Sequence, residues 1–251
     1  DTNLALNLSS GLDSKLMLSC VDRINGGQKS IRANSFFFED KNFNEKPDLE
    51  DFSKKKNWKI NFFKITPEDV INHFDEILLA NDGPFPGLPT IGKNLLIKRS
   101  SVSSYKVVLE GQGGDDIAGG YKYIFGYYLK DLIKSGDIKN FVLEIIEFSK
   151  KEKINLSKIL NLFLYSFNSI DRGGISADGS KSANLNVLDD DLLNKKNLNV
   201  NNFNEDINNI HGELKKVIYR DLFYTKLQRI LKSCDRVSMI YGKELRVPLL
   251  D

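Results

Sequence analysis

Two short runs of serine, glycine and aspartate hold the side chains of this chain best suited to chemistry. Ser9-Ser10-Gly11-Leu12-Asp13-Ser14 follows the short β-run Leu4 to Leu8 directly and opens a helical pattern. A helix N-terminus offers several unpaired N–H groups and the positive end of the helix dipole. Small residues let a phosphate approach that backbone closely, and serine hydroxyls add donors. Asp13 is out of place beside a phosphate unless a cation lies between them. Mg2+ suits, because it binds through one or two carboxylates together with phosphate oxygens. The alternative is a capped turn, since serine and aspartate favour helix starts in any case. The run is not a Walker A loop, which would end in Gly-Lys-Ser/Thr.

The second run is Glu110-Gly111-Gln112-Gly113-Gly114-Asp115-Asp116, followed by Gly119-Gly120-Tyr121. Glycines permit positive φ and close approach of backbone to a ligand. Asp115 can supply the second carboxylate for the cation that Asp13 requires. The alternative here is a surface turn with an acidic helix start. Two such loops at neighbouring strand ends favour the ligand-binding reading.

The elements that must position these runs alternate in the first half. Leu4 to Leu8, Ile31 to Phe38, Lys59 to Ile65 and Tyr105 to Glu110 read as strands. Helical patterns lie between them: one through Met17 and Val21 stopped by Gly26-Gly27, one over Asp48 to Lys56, one opened by Thr66-Pro67-Glu68, and one from about Ile91 to Ser103. This is an α/β chain with a parallel sheet flanked by helices, and such sheets bind ligands beyond the carboxyl ends of their strands. The chemistry is therefore expected just after Leu8, Phe38 and Leu109. From about Asp116 onward only helical patterns are read, apart from a Gly-, Ser-, Asn- and Asp-rich stretch over 171–204 that reads as a long loop or mobile segment. The division expected is a core over 1–130 and a helical layer over 131–251, within a single domain fragment.

Bulk composition excludes several classes. A net charge of +2 from 36 basic and 34 acidic residues, with no long basic run, gives no nucleic-acid track. No apolar run is long enough to span a membrane, and no signal peptide opens the chain. Cys20 and Cys234 show no CxxC spacing and read as reduced structural thiols, which suits the cytoplasm. His73 and His211 stand alone, so zinc or Ser-His-Asp chemistry has no raw material. A start at Asp1 and an end at Asp251 read as a piece of something longer.

A third run, Leu227-Gln228-Arg229-Ile230-Leu231-Lys232-Ser233-Cys234-Asp235-Arg236-Val237-Ser238-Met239, leads into Glu244-Leu245-Arg246-Val247-Pro248-Leu249-Leu250-Asp251. Alone it could be a salt-bridged helix face. It resembles the LLRxDRxSM…ExRxPFLD segment of asparagine synthetases and β-lactam synthetases. SSGLDS resembles the SGGxDS pyrophosphate loop of that superfamily, with Ser10 in place of the middle glycine, and GQGGDDIAGGY resembles GEGxDExFGGY. The three motifs are in order and span nearly the whole chain. The resemblance implies an adenine-nucleotide α-hydrolase-like, Rossmann-like fold using ATP and Mg2+. It implies that Ser9, Ser10, Gly11, Asp13 and Ser14 hold pyrophosphate, that Glu110 and Gly111 contact the nucleotide, and that Phe38 lines the adenine pocket. It places Mg2+ on Asp13 and Asp115, with Asp116 a further catalytic candidate. The implied reaction joins a small-molecule or peptide carboxylate to an amine through an acyl-adenylate, and it leaves room for a glutaminase domain in cis or in trans. Two departures matter: the family glutamate in GEGxDE is Gln112 here, and the family's catalytic lysine lies beyond this chain.

Overall fold

The computed structural model describes residues 3–24, 31–101, 105–167, 207 and 209–251. In chain order they form β1 (Leu4–Asn7), α1 (Leu12–Ile24), β2 (Arg32–Phe37), α2 (Lys46–Lys56), β3 (Ile60–Lys64), α3 (Pro67–Ala80), α4 (Leu88–Ser100) and β4 (Val107–Leu109). There follow α5 (Gly114–Ala118), α6 (Ile124–Lys134), α7 (Ile138–Glu152), α8 (Leu156–Tyr165), α9 (Glu213–Arg220), a π-helical turn (Asp221–Thr225), α10 (Leu227–Met239) and β5 (Glu244–Arg246). The chain divides into two compact units: Asp1–Gly114 with Arg229–Asp251, and Asp115–Gln228.

The first unit carries a five-stranded sheet in the order β3-β2-β1-β4-β5, with every neighbouring pair parallel. Helices flank it, as the sequence leads one to expect. Side chains alternate along β1, sending Leu6 and Leu8 to a cluster with Met17, Leu18, Leu49 and Trp58. Ala5 points the other way, to Val108 and Tyr105. A further cluster gathers Ile65, Ile77, Ile91, Leu95 and Val237. Strand order reverses between β1 and β4: the chain steps outward through β2 and β3, then returns to the far side of β1. Open α/β sheets bind ligands at such a switch point, here the carboxyl ends of β1 and β4.

Local chemistry sets the helix starts. Thr66 caps α3 in a reciprocal box: its hydroxyl accepts from the Asp69 N–H at 3.2 Å, and the Asp69 carboxylate accepts from the Thr66 N–H at 3.0 Å. Helix α4 begins at Leu88, earlier than its apolar spacing suggests, because Pro89 is well placed in a first turn. Most of its residues are buried, so it lacks a polar face. The stretch after Asp116 also holds a strand that periodicity missed. Three residues are too few to show a pattern, but β5 is fixed by Glu244 N–H to Lys106 O and Glu110 N–H to Arg246 O, both 2.9 Å. The 171–204 stretch and the Gly26-Gly27 helix stop lie outside the described residues.

In the second unit α6 packs with α8 and α9. Ile124, Tyr127 and Val217 form its apolar centre. Asp131 of α6 caps α9, accepting from the N–H groups of Glu213 (2.6 Å) and Leu214 (2.9 Å). No described helix is long and apolar enough to cross a membrane.

Candidate functional site

The loop between β1 and α1 is held by its serines. The buried Ser14 hydroxyl donates to Ser9 O at 2.9 Å and accepts from the Ser9 N–H at 3.0 Å. The Ser9 and Ser14 hydroxyl oxygens lie 3.0 Å apart. These bonds turn the chain sharply at the carboxyl end of β1 and aim the first turn of α1 outward. Ser10 shows what that backbone binds: its N–H donates to the Glu45 carboxylate at 2.7 Å. An anionic oxygen therefore already sits on this loop, as expected of amides at a helix N-terminus.

The turn after β4 closes against the same loop. A Cβ added to Gly111 would lie 2.8 Å from Ser14 N and 2.9 Å from the Asp13 carbonyl carbon, and one added to Gly114 would collide with the Asp13 carboxylate. The first two sequence motifs thus meet, with glycine required by contact. Asp13 itself is half-buried.

Beneath this meeting point lies a buried polar network. Glu110, only 3% exposed, accepts from Asn7 Nδ2 at 2.8 Å and from Lys93 Nζ at 2.7 Å. Lys93 also reaches Cys234 Sγ at 3.2 Å. Burial would push the Lys93 ammonium down, but the Glu110 carboxylate outweighs it and holds the ammonium above its ordinary value. Burial likewise pushes the Cys234 thiol up to about 11 against the opposing pull of Lys93. Cys20, by contrast, is exposed on α1.

The third motif buttresses this arrangement. It supplies Cys234 to Lys93, β5 to the sheet edge, and Leu250, whose side chain occupies the space over Gly113. Arg236 donates to Ala80 O at 3.1 Å and to the Asp82 carboxylate. Phe38 lies just past β2, half-buried, edge-on to Phe36 with ring centres 5.7 Å apart. Asp115 and Asp116 open the second unit. Asp115 is exposed; Asp116 is buried and paired with Lys226.

The pattern that defines asparagine synthases matches residues 1–251. The chain belongs to the asparagine synthase family. Among curated proteins it is 22% identical over 253 residues to the glutamine-hydrolysing asparagine synthetase 1 of Bacillus subtilis (strain 168), a match covering 97% of this chain and 38% of that protein. The chain thus spans well under half the length of that relative. Asparagine synthase membership agrees with the α/β fold and brings with it an ATP-using ligase family.

Sequence reading missed Asn7, Lys93, Cys234 and Glu45. One signal for Lys93 was available. It sits in the middle of α4, away from the last-turn Lys98 and Arg99 and among residues that are mostly buried, and a buried lysine needs a carboxylate. Among the described residues no three or more His, Cys, Asp or Glu side chains gather as a metal centre. Mg2+ held by two carboxylates and phosphate oxygens needs no such group.

Proposed function

We propose that this chain is the nucleotide-using part of an ATP-dependent carboxylate–amine ligase of asparagine-synthetase type. The observation that carries the reading is the closure of Gly111 and Gly114 on the Asp13–Ser14 backbone at the switch point of the sheet. It joins an anion-binding loop to a second loop bearing carboxylates. The Ser10 amide, already holding a carboxylate oxygen, supports the fit to a polyphosphate.

In this reading Ser9, Ser10, Gly11 and Ser14 seat the pyrophosphate end of ATP on backbone amides and hydroxyls. Glu110 and Gly111 contact the nucleotide, and Phe38 faces the adenine. Asp13 and Asp115 would hold Mg2+, whose charge would offset that building on the leaving pyrophosphate. A substrate carboxylate oxygen attacks the α-phosphorus as the bond to pyrophosphate breaks. An amine then attacks the acyl carbon, and AMP leaves with the bonding pair. The chain's own contribution is positioning and exclusion of misaligned geometries. The ATP requirement suits the cytoplasm, and a glutaminase domain in cis or in trans would supply ammonia.

The full-length protein should release AMP and pyrophosphate in equal amounts when given ATP, Mg2+ and its carboxylate and amine from a substrate panel. Release of ADP and phosphate instead would overturn the reading. Gln112 favours a variant of it. A glutamine amide cannot take a proton from an incoming amine as a carboxylate could. Cyclisation of a peptide or lactam precursor, with the amine in the same molecule, would leave no ammonia nitrogen in the product. Tight ATP binding without exchange of labelled pyrophosphate into ATP would instead mark a catalytically reduced nucleotide-binding module.

A further inference from the structure

Helix α5 is five residues long, too short to hold itself, because nucleating a helical turn fixes several dihedrals for one hydrogen bond. Something outside it must grip it. Of its residues Asp115, Ile117 and Ala118 are exposed, and Asp116 is the buried one. The Asp116 carboxylate accepts from Lys226 Nζ at 3.0 Å and from the Tyr121 hydroxyl at 3.2 Å. Both charged side chains are almost wholly enclosed, 1% exposed for Asp116 and 3% for Lys226. The grip on α5 is therefore an ion pair where a short helix would ordinarily use an apolar side chain. On either side stand glycines with positive φ, Gly113 at 94° and Gly119 at 71°, so without that grip the segment has a free joint at each end.

Lys226 is delivered by an unusual element. It follows directly on the π-helical turn Asp221–Thr225, and such turns are rare and frequently lie at functional sites. The turn is itself pinned: Asp221 accepts from Arg220 Nε and Thr225 Oγ1, both at 2.8 Å, and from the Tyr123 hydroxyl. At the other end, Gly120 N–H donates to Asp115 O at 2.8 Å, and a Cβ on Gly120 would strike the Asp115 carboxylate. Replacing a buried ion pair with apolar residues is often neutral or stabilising, so stability alone does not account for this one.

We propose that Lys226 is a positioning residue: through its buried pair with Asp116 it fixes α5 in the orientation that presents Asp115 to the nucleotide-bound cation. This rests on the ligase reading above. It also gives Asp116 a holding role, in place of the catalytic one its sequence position suggests.

The test uses the full-length protein and two readouts other than turnover. One is the affinity for Mn2+ in the presence of a non-hydrolysable ATP analogue, followed by electron paramagnetic resonance. The other is amide hydrogen exchange over 114–118 in the ligand-free protein. Lys226→Met and Asp116→Asn should each weaken Mn2+ binding and speed that exchange by about tenfold or more, and the double variant should be no worse than either alone. Analogue binding without metal should stay within about twofold of wild type, because the phosphate loop is untouched. Should a single variant fail to fold, Asp116→Leu with Lys226→Met supplies an uncharged pair: its packing should restore slow exchange over 114–118, whereas Mn2+ affinity should still fall because the directional ion pair is gone. Wild-type Mn2+ affinity in Lys226→Met beside its loss in Asp116→Asn would mean that Asp116 acts directly, and the proposal fails. It fails equally if neither variant changes either readout. A wild-type protein that binds no Mn2+ with the analogue overturns the ligase reading itself. That outcome is distinguishable, because the exchange arm still reports whether the pair holds α5.

Discussion

Glu110 in the first unit and Glu213 in the second are both buried and paired with lysine, yet they sit in opposite kinds of place. Glu110 stands at the carboxyl end of β4 with one lysine and one amide, Lys93 and Asn7, on its two oxygens. Glu213 opens α9 and gathers Lys130 at 2.9 Å, Lys134 at 2.8 Å and Lys216 at 3.8 Å. Burial opposes its ionisation, but the Lys134 and Lys130 ammoniums outweigh that and hold its carboxyl down to about 2. Surplus cations at a helix start, where an acid also suits the dipole, make a staple. A pair of one carboxylate and one lysine at a strand end, where open α/β sheets bind ligands, is in the proposed reading part of a site. The same residue types serve two purposes, and location tells them apart.

The largest effect expected from breaking this contrast comes at Lys93. Lys93→Met strands the Glu110 carboxylate in a buried place and should lower stability by about 3 kcal/mol in urea unfolding. Lys93→Met with Glu110→Leu should recover most of that stability, yet bind ATP at least about tenfold more weakly than wild type. Wild-type ATP affinity in the double variant would remove Glu110 from the nucleotide site. Its counterpart, Glu213→Gln, should leave ATP affinity unchanged and cost on the order of 2 kcal/mol at neutral pH. The sign follows from the depressed pKa. The unfolded carboxyl titrates near 4.5 and the folded one near 2, so the stabilisation is present above pH 4.5 and is lost as pH falls through 2. Wild type and Glu213→Gln should therefore converge in stability toward pH 2.

A smaller change sharpens the staple reading. Asp131→Ala removes the acceptor for two backbone N–H groups at the start of α9 and should cost about 1 to 2 kcal/mol. ATP binding should not respond. A fall in nucleotide affinity as large as that of the Lys93 variants would tie the second unit's helix start to the site and erase the contrast.

Much of the loop between β1 and α1 was legible because its chemistry is local. Ser-Ser-Gly at a strand end, an acid four residues on, and a glycine-rich turn after another strand can be read without knowing what lies opposite. That the sheet is parallel and flanked by helices followed from the same alternation of strands and helices. What could not be read depends on distant partners. Asn7 and Glu110 are 103 residues apart, and Lys93 and Cys234 are 141 apart. Lys226 was hidden for a different reason. Only helical patterns are read in this stretch, whereas α9 ends at Arg220 and the π-helical turn changes the register, leaving Phe223 56% exposed. β5 went unseen because three residues cannot display a period of two.

A third carboxylate gives the smallest and sharpest test of the comparison. Glu45 accepts from the Ser10 N–H at 2.7 Å at the exposed edge of the loop, with no lysine bonded to it among the described contacts. If that amide is a phosphate ligand, the carboxylate must leave before a phosphate oxygen can take its place, and its charge also repels the incoming polyphosphate. Glu45→Gln keeps the shape and removes the charge. ATP affinity should rise by about two- to threefold at low salt, and the gain should shrink at high salt because both groups are exposed to screening. Titration calorimetry at two salt concentrations measures both. A fall in affinity would show that Glu45 preorganises the loop and does not compete for it. It would then belong with Glu110, as a carboxylate that builds the site, in place of standing apart from both buried glutamates.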